Sequence, residues 1–169
     1  MATIRRMRAG AKAKSIGSAF EHLILSSGSR DGIAIVRIPD GCQTKRWRGP
    51  KGFETKLIRV HSPFDFCAFH LGRSIVFDAK TIESGRFGHS AIKQHQLHYL
   101  NQCGRHVAAS GYLIWYREED AVIWHSHRRL IALKPRESLG IADGLHIGSG
   151  GSLSLLPLMA SQTGLLTQK

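Results

Sequence analysis

Asp65, Asp78 and Lys80 are the residues of this 169-residue chain whose types and spacing combine into a chemistry. Residues 64–69 and 74–80 each read as a short strand, with His70-Leu71-Gly72-Arg73 as a tight turn between them. A two-residue turn at Leu71-Gly72 makes the numbers of cross-strand partners sum to 143, which sets Asp65 directly opposite Asp78. Strand alternation then sorts the hairpin into two faces. Phe64, Phe66, Ala68, Ile75, Phe77 and Ala79 make an apolar face that must be buried. Asp65, Cys67, Phe69, Ser74, Val76, Asp78 and Lys80 make the other. Two carboxylates facing each other with Cβ atoms about 4.5–5.5 Å apart repel. A hard divalent cation, bound by carboxylate oxygens with waters completing an octahedron, removes that repulsion. Lys80 points to the same face as Asp78, where its ammonium could orient an attacking water or offset charge building on a phosphate. Two carboxylates, a lysine and a metal are the parts that phosphodiester hydrolysis requires. The plainer alternative is an Asp78–Lys80 surface ion pair with Asp65 at a strand end. The aligned Asp65, the apolar opposite face and the basic chain favour the catalytic reading.

Two more residues join this set. Glu21 lies next to Phe20 at the edge of a helical apolar stripe, where a carboxylate could reach inward. Its rival role is specific: Ser18-x-x-Glu21 fits a capping box if a helix starts at Ser18. Gln96 falls on a helical line with Ile92, Tyr99, Leu100 and Cys103, and an amide in an apolar line needs a polar partner. Other chemistries lack parts. His95-x-x-His98 has no cysteine or carboxylate nearby to complete a tetrahedral zinc set. Gly148-Ser149-Gly150-Gly151 lacks the Lys-Ser/Thr of a phosphate-binding loop, and no Gly-x-Ser-x-Gly elbow occurs.

The elements that must position these side chains follow from local pattern. Ile16, Phe20, Leu23 and Ile24 predict a helix from Ser15, with Gly28 able to end it. Ile33–Ile38 reads as a strand stopped by Pro39. Residues 40–60 hold Gly41, Gly49, Pro50 and Gly52 among basic residues, and read as a loop or extended arm leaving the compact body. A helix follows over about 90–103, then strands near 112–116 and 121–125 around the acidic turn Glu118-Glu119-Asp120. The predicted organisation is a basic mobile arm over 1–14, a catalytic domain over 15–147 and a peripheral or partly disordered tail over 148–169. The fold class expected is α/β, a central mixed β-sheet flanked by helices.

Composition limits the partners. The 24 Lys+Arg against 12 Asp+Glu give a formal charge of +12, and residues 1–15 and 37–59 each carry +5 of it. Charge concentrated in this way suits a polyanion. Neither stretch has the apolar face of an interfacial helix, so nucleic acid is favoured over a membrane surface. No apolar run approaches the ~18 residues of a membrane span, and no apolar stretch follows the basic start as in a secretory signal. Three unpaired-looking cysteines, Cys42, Cys67 and Cys103, suit a reducing compartment, so a cytoplasmic location is expected.

Several of these stretches together resemble the RecU-type Holliday junction resolvases of the PD-(D/E)xK nuclease superfamily. They are Gly17-x-x-Phe20-Glu21, Arg37-Ile38-Pro39, Ser62-Pro63-Phe64-Asp65-Phe66, Leu71-Gly72-Arg73, Ile75-Val76-Phe77-Asp78-Ala79-Lys80-Thr81, Phe87, His95-Gln96-x-His98-x-Leu100 and Gly104. The resemblance covers about residues 15–116, with a fainter echo in Glu137-Ser138-Leu139. It implies a restriction-endonuclease-like fold in which Asp65 and Asp78 bind Mg2+, with Mn2+ as a substitute. Lys80 would work with the attacking water, Glu21 would support the metal from the helix, and Gln96 would help to order the site. It implies that excursion 40–60 is a protruding basic stalk entering the centre of a four-way junction. It further implies a homodimer, because paired cuts in a two-fold junction need two sites. The DNA contacts expected are Arg5, Arg6, Arg8, Lys12 and Lys14 on the arm, Lys45, Arg46, Trp47, Arg48, Lys51 and Lys56 on the stalk, and Arg73 at the turn. A nucleoid-associated location follows, with a cellular or a viral source left open. The sequence departs from the family at Asp78, where glutamate is usual, and in the Ser62–Phe66 run, which lacks a hydroxyl and a phenol. Two alternatives stay open: another nuclease of the superfamily, of repair or restriction type, or a non-catalytic DNA-binding protein on the same fold.

Overall fold

The computed structural model describes residues 2–50, 52–83 and 85–160, without the side chains of residues 2–14, Trp47 and Arg59. A six-stranded mixed sheet in the order β1-β4-β5-β7-β8-β10 forms the body. Its strands are β1 (Ala34–Arg37), β4 (Phe66–His70), β5 (Arg73–Ile82), β7 (Ala109–Tyr116), β8 (Ala121–Ser126) and β10 (Leu145–Gly148). Only β5 and β7 run parallel, and the connection between them carries β6 (Phe87–Gly88) and helix α2 (Gln94–Cys103). Helix α1 (Ala2–Asp31) precedes the sheet, α3 (His127–Ala132) follows β8, and α4 (Leu156–Ala160) closes the described chain. β6 pairs with β9 (Ser138–Leu139) in a small second sheet. No helix among the described residues is long and apolar enough to cross a membrane.

Two apolar clusters cover the two faces of the sheet. Phe20 and Ile24 of α1 pack with Phe66, Ala68, Ile75, Phe77, Leu113 and Val122 on one face. On the other, Leu100 of α2 and Leu130 of α3 pack with Val76, Tyr112, Ile114, Tyr116 and Ile123. The β4–β5 pairs run from Phe66↔Phe77 to His70↔Arg73, each summing to 143 as the two-residue turn requires. Leu71 and Gly72 both take positive φ, 46° and 75°, the mark of a primed hairpin turn whose twist matches its strands. The alternation holds within the strands. Phe64 is the exception: it lies before β4 begins and packs with the α2-side cluster.

The structure moves two boundaries and gives the excursion a regular form within its expected bounds. Residues 2–14, expected as an arm, belong to the continuous α1, because their Ala, Arg, Lys and Met are strong helix formers and no proline interrupts them. The stretch 148–160, expected at the periphery, is part of the core. Leu153, Leu155, Leu158 and Met159 are buried there against the α1-side cluster, while residues 161–169 lie outside the described residues. The excursion is a regular antiparallel hairpin of β2 (Gly41–Gly49) and β3 (Gly52–Val60), paired from Gly41↔Val60 to Gly49↔Gly52. It forms a sheet of its own, separate from the body's. Its described side chains are exposed almost throughout, including Phe53 and Leu57.

Candidate active site

β5 carries Asp78 into the middle of the molecule, where its side chain is fully buried. Its neighbour across the parallel ladder is Tyr112 of β7. α2 lies over this face and lowers Gln96, also buried, onto the carboxylate, so that Gln96 Nε2 donates to Asp78 Oδ1. Tyr112 donates its phenol to Gln96 Oε1 at 3.3 Å. That bond orients the amide, oxygen toward the phenol and nitrogen toward the carboxylate. Burial holds the Tyr112 phenol well above its ordinary range, which keeps it a donor.

Lys80, two residues along β5, shares the face as alternation demands. Its ammonium meets Asp78 Oδ2, lies 3.9 Å from Asp65 Oδ2 and stands 5.6 Å from the Tyr112 ring centroid. Asp65 sits one residue before β4, its side chain partly open to solvent, and its Oδ2 accepts the Ala79 N–H at 3.1 Å. The two carboxylates thus converge on one side of the sheet beside one amine. Burial pushes the Asp78 carboxyl up to about 7, with the nearby Lys80 charge pulling it down and the Asp65 charge pushing it up. Asp78 Oδ2 meets the Lys80 ammonium and has the Asp65 carboxylate beside it. A buried carboxylate beside a second carboxylate reached by solvent is a pair of oxygen ligands that suits a hard cation. Mg2+ in particular takes one or two carboxylates and keeps waters for its other positions.

The structure does not bring Glu21 into this set. Its carboxylate pairs with Arg37 of β1, both oxygens 3.1 Å from Arg37 Nη2. The capping role fails too, because Ser18 lies inside α1 and not at its start. Among the described residues no group of three or more His, Cys, Asp or Glu side chains gathers to hold an ion. Arg73, expected at DNA, bonds the carbonyls of Met159 and Ala160 at 2.7 and 3.1 Å. The last carbonyls of α4 have no intrahelical partners, and a cation answers them. Lys45, Arg46, Arg48 and Lys56 stand exposed on the hairpin, with Arg46 4.4 Å over the Phe53 ring. Arg5, Arg6, Arg8, Lys12, Lys14 and Trp47 have side chains outside the described residues, as is all of Lys51. Tyr99, placed on the inward line of α2, is 43% exposed, whereas Gln96 and Leu100 are buried.

Sequence reasoning missed Tyr112, although a tyrosine in an apolar strand calls for a partner for its hydroxyl. It also missed His61, which stacks on His95 with ring centroids 5.6 Å apart at the root of the hairpin and lies 3.7 Å from Asp40.

Comparison with known proteins bears on the family and the fold. The sequence is 30% identical over 73 residues to Holliday junction resolvase RecU of Mycoplasmopsis pulmonis (strain UAB CTIP), a match covering 42% of this chain and 46% of that relative. The chain therefore spans about half the length of the curated relative it matches. The fold is similar to that of Archaeoglobus fulgidus Hjc, a Holliday junction resolvase from an archaeal hyperthermophile, with a TM-score of 0.53 and 14% identity. That likeness covers 77% of this chain and 95% of Hjc, and it places the mixed sheet and its helices in the restriction-endonuclease-like fold. The model of the family described as recombination protein U matches residues 17–140, a span that holds Asp65, Asp78, Lys80 and Gln96; the chain belongs to the RecU family.

Proposed function

We propose that the protein is a structure-selective endodeoxyribonuclease that resolves four-way Holliday junctions by Mg2+-dependent, paired phosphodiester hydrolysis. The observation that carries this reading is the convergence of Asp65 and Asp78 with Lys80 on one face of the sheet. Membership of a family with a Holliday junction resolvase among its members supports the substrate.

In this reading Asp65 and Asp78 hold the cation. An ion held there would supply Lewis acidity and would lower the pKa of a water. The chain's own residues do the rest. Gln96, held by Tyr112, fixes the Asp78 carboxylate in one rotamer, so that Oδ2 points into the site. Lys80 sets its ammonium beside both carboxylates, where it neutralises charge that builds on the phosphate and orients the attacking water. Asp65, the more exposed of the pair, lies where DNA arrives. The basic hairpin supplies affinity through phosphate neutralisation, and a C2 homodimer supplies the second site that paired cuts require.

The test is a synthetic mobile junction incubated with and without Mg2+, alongside flaps and linear duplex. Symmetric nicking of opposed strands only with Mg2+ is expected. Asp65→Asn and Lys80→Ala should abolish cutting while junction binding persists, and wild-type cutting by either variant would show that the site is misassigned.

A further inference from the structure

We infer a second phosphate-binding subsite, a groove formed by Arg86 and Arg129 around Asp143, that holds the backbone of a DNA arm beside the carboxylate pair. This rests on the nuclease reading above and adds a contact that the family motifs do not include. Three separate segments meet there: Arg86 ahead of β6, Arg129 on α3, and Asp143 at the end of the 3-10 turn Ile141–Asp143. Arg86 Nη2 donates to Asp143 Oδ2 at 3.0 Å and Arg129 Nη2 donates to Oδ1 at 3.2 Å. Arg86 is held further by Ser138, through Nε to its Oγ at 2.9 Å and Nη2 to its carbonyl at 2.7 Å. The Gly140 N–H, at 2.8 Å, and the two guanidiniums hold the Asp143 carboxyl below its ordinary range, so it remains ionised.

Ion pairs this exposed contribute little to stability, and ordering two long side chains costs conformational entropy. What the network achieves is aim. The Arg86 and Arg129 side chains remain more than half exposed, 58% and 55%, at a cavity of about 440 Å3, with N–H groups left for a ligand. A fixed pair of guanidinium forks matches phosphate oxygens better than mobile ammonium groups do.

Charge and position favour a nucleic-acid backbone. Residues 127–137 hold Arg128, Arg129, Lys134 and Arg136 against the single acid Glu137, which also lines the groove, and all five are exposed. The whole-chain count hides this stretch, because the turn Glu118-Glu119-Asp120 offsets it. The groove also lies on the face of the carboxylate pair. Phe87, next to Arg86, meets the Tyr112 ring edge-on at 5.7 Å, and the carbonyl of Leu139, next to Ser138, accepts the Tyr116 hydroxyl at 3.1 Å. Tyr112 to Tyr116 is four residues along β7, ~13 Å at ~3.3 Å per residue.

The test is equilibrium binding of fluorescent linear duplex and four-way junction in EDTA, followed across salt concentration. Arg86→Gln and Arg129→Gln are each expected to reduce the slope of log affinity against log salt by about 1, and the double variant by about 2. The double Arg→Lys variant should keep the wild-type slope, because the charges stay. Wild-type slopes in both single variants, with only a lowered melting temperature, would mean that the network is structural and overturn the proposal, whether or not the double variant folds. Failure of the wild-type protein to bind either DNA would instead overturn the nuclease reading on which this one stands.

Discussion

Gln96 and Asp78 carry the proposed chemistry at the residue scale, because each answers a cost imposed by burial. A fully buried carboxylate needs donors, and Gln96 is the side chain brought from outside the hairpin to supply one. Gln96→Leu should therefore cut junction cleavage by about 10–100-fold and raise the Mg2+ concentration needed for half-maximal rate, as Mg2+ titrations of cleavage would reveal. A second expectation concerns protons. Asp78 titrates near 7 in the folded chain against an ordinary 3.8, so the metal-free folded state binds the extra proton between those values. Stability linked to this group is fully present below 3.8 and is lost as pH rises through about 7. Asp78→Asn, which buries a neutral amide, should be more stable than the metal-free wild type at pH 8 by at least about 1 kcal/mol. The gap should close toward pH 4, read as denaturation midpoints across pH. In cleavage, the same proton competes with the cation, so activity at limiting Mg2+ should rise through pH 7 and the midpoint should fall as Mg2+ increases.

The hairpin β2–β3 is the element whose removal separates affinity from architecture. Its register pairs Gln43 with Ile58 and Cys42 with Arg59, so residues 43–58 can be excised and closed by a two-residue glycine turn. Its described side chains are exposed and its strands pair only with each other, so thermal stability should change little. Preference for a four-way junction over linear duplex should fall by about tenfold, ~1.4 kcal/mol, measured by competition binding. An unchanged preference would remove the hairpin from substrate selection. The β4–β5 hairpin behaves differently. Its turn at Leu71 and Gly72 sets the register that aligns Asp65 with the Asp78 end of the ladder, and so belongs to the proposed site although far from it in the strand.

At the scale of the molecule the last described segment holds the body together. Leu153, Leu155, Leu158 and Met159 are buried, while Arg30 bonds the Ser152 hydroxyl and the Leu153 carbonyl, and Arg73 bonds the end of α4. Ending the chain after Gly151 should lower unfolding free energy by several kcal/mol, given ~1.5–3 kcal/mol for each large apolar side chain buried. Chemical denaturation would measure it, and a wild-type midpoint would show that the segment is peripheral after all.

The sequence by itself determined what depends on short range. Alternation and a two-residue turn were enough to put Asp65, Asp78 and Lys80 on one side of a hairpin, and an amide in an apolar line marked Gln96 as needing a polar partner. Both follow from backbone geometry within a few residues. Tertiary structure decided which side chains arrive from elsewhere. Tyr112 reaches Gln96 through a parallel pairing made only after α2 crosses over, and Glu21 stays with Arg37 because β1 lies beside α1. Arg86 and Arg129 meet at Asp143 because β9 pairs with β6. Likewise, the glycine- and serine-rich run before α4 reads locally as a loop, and its leucines are core only because the α1 side of the sheet has apolar area left to cover. The side-chain pairs among those contacts lie 14 to 57 positions apart, so no local period encodes them.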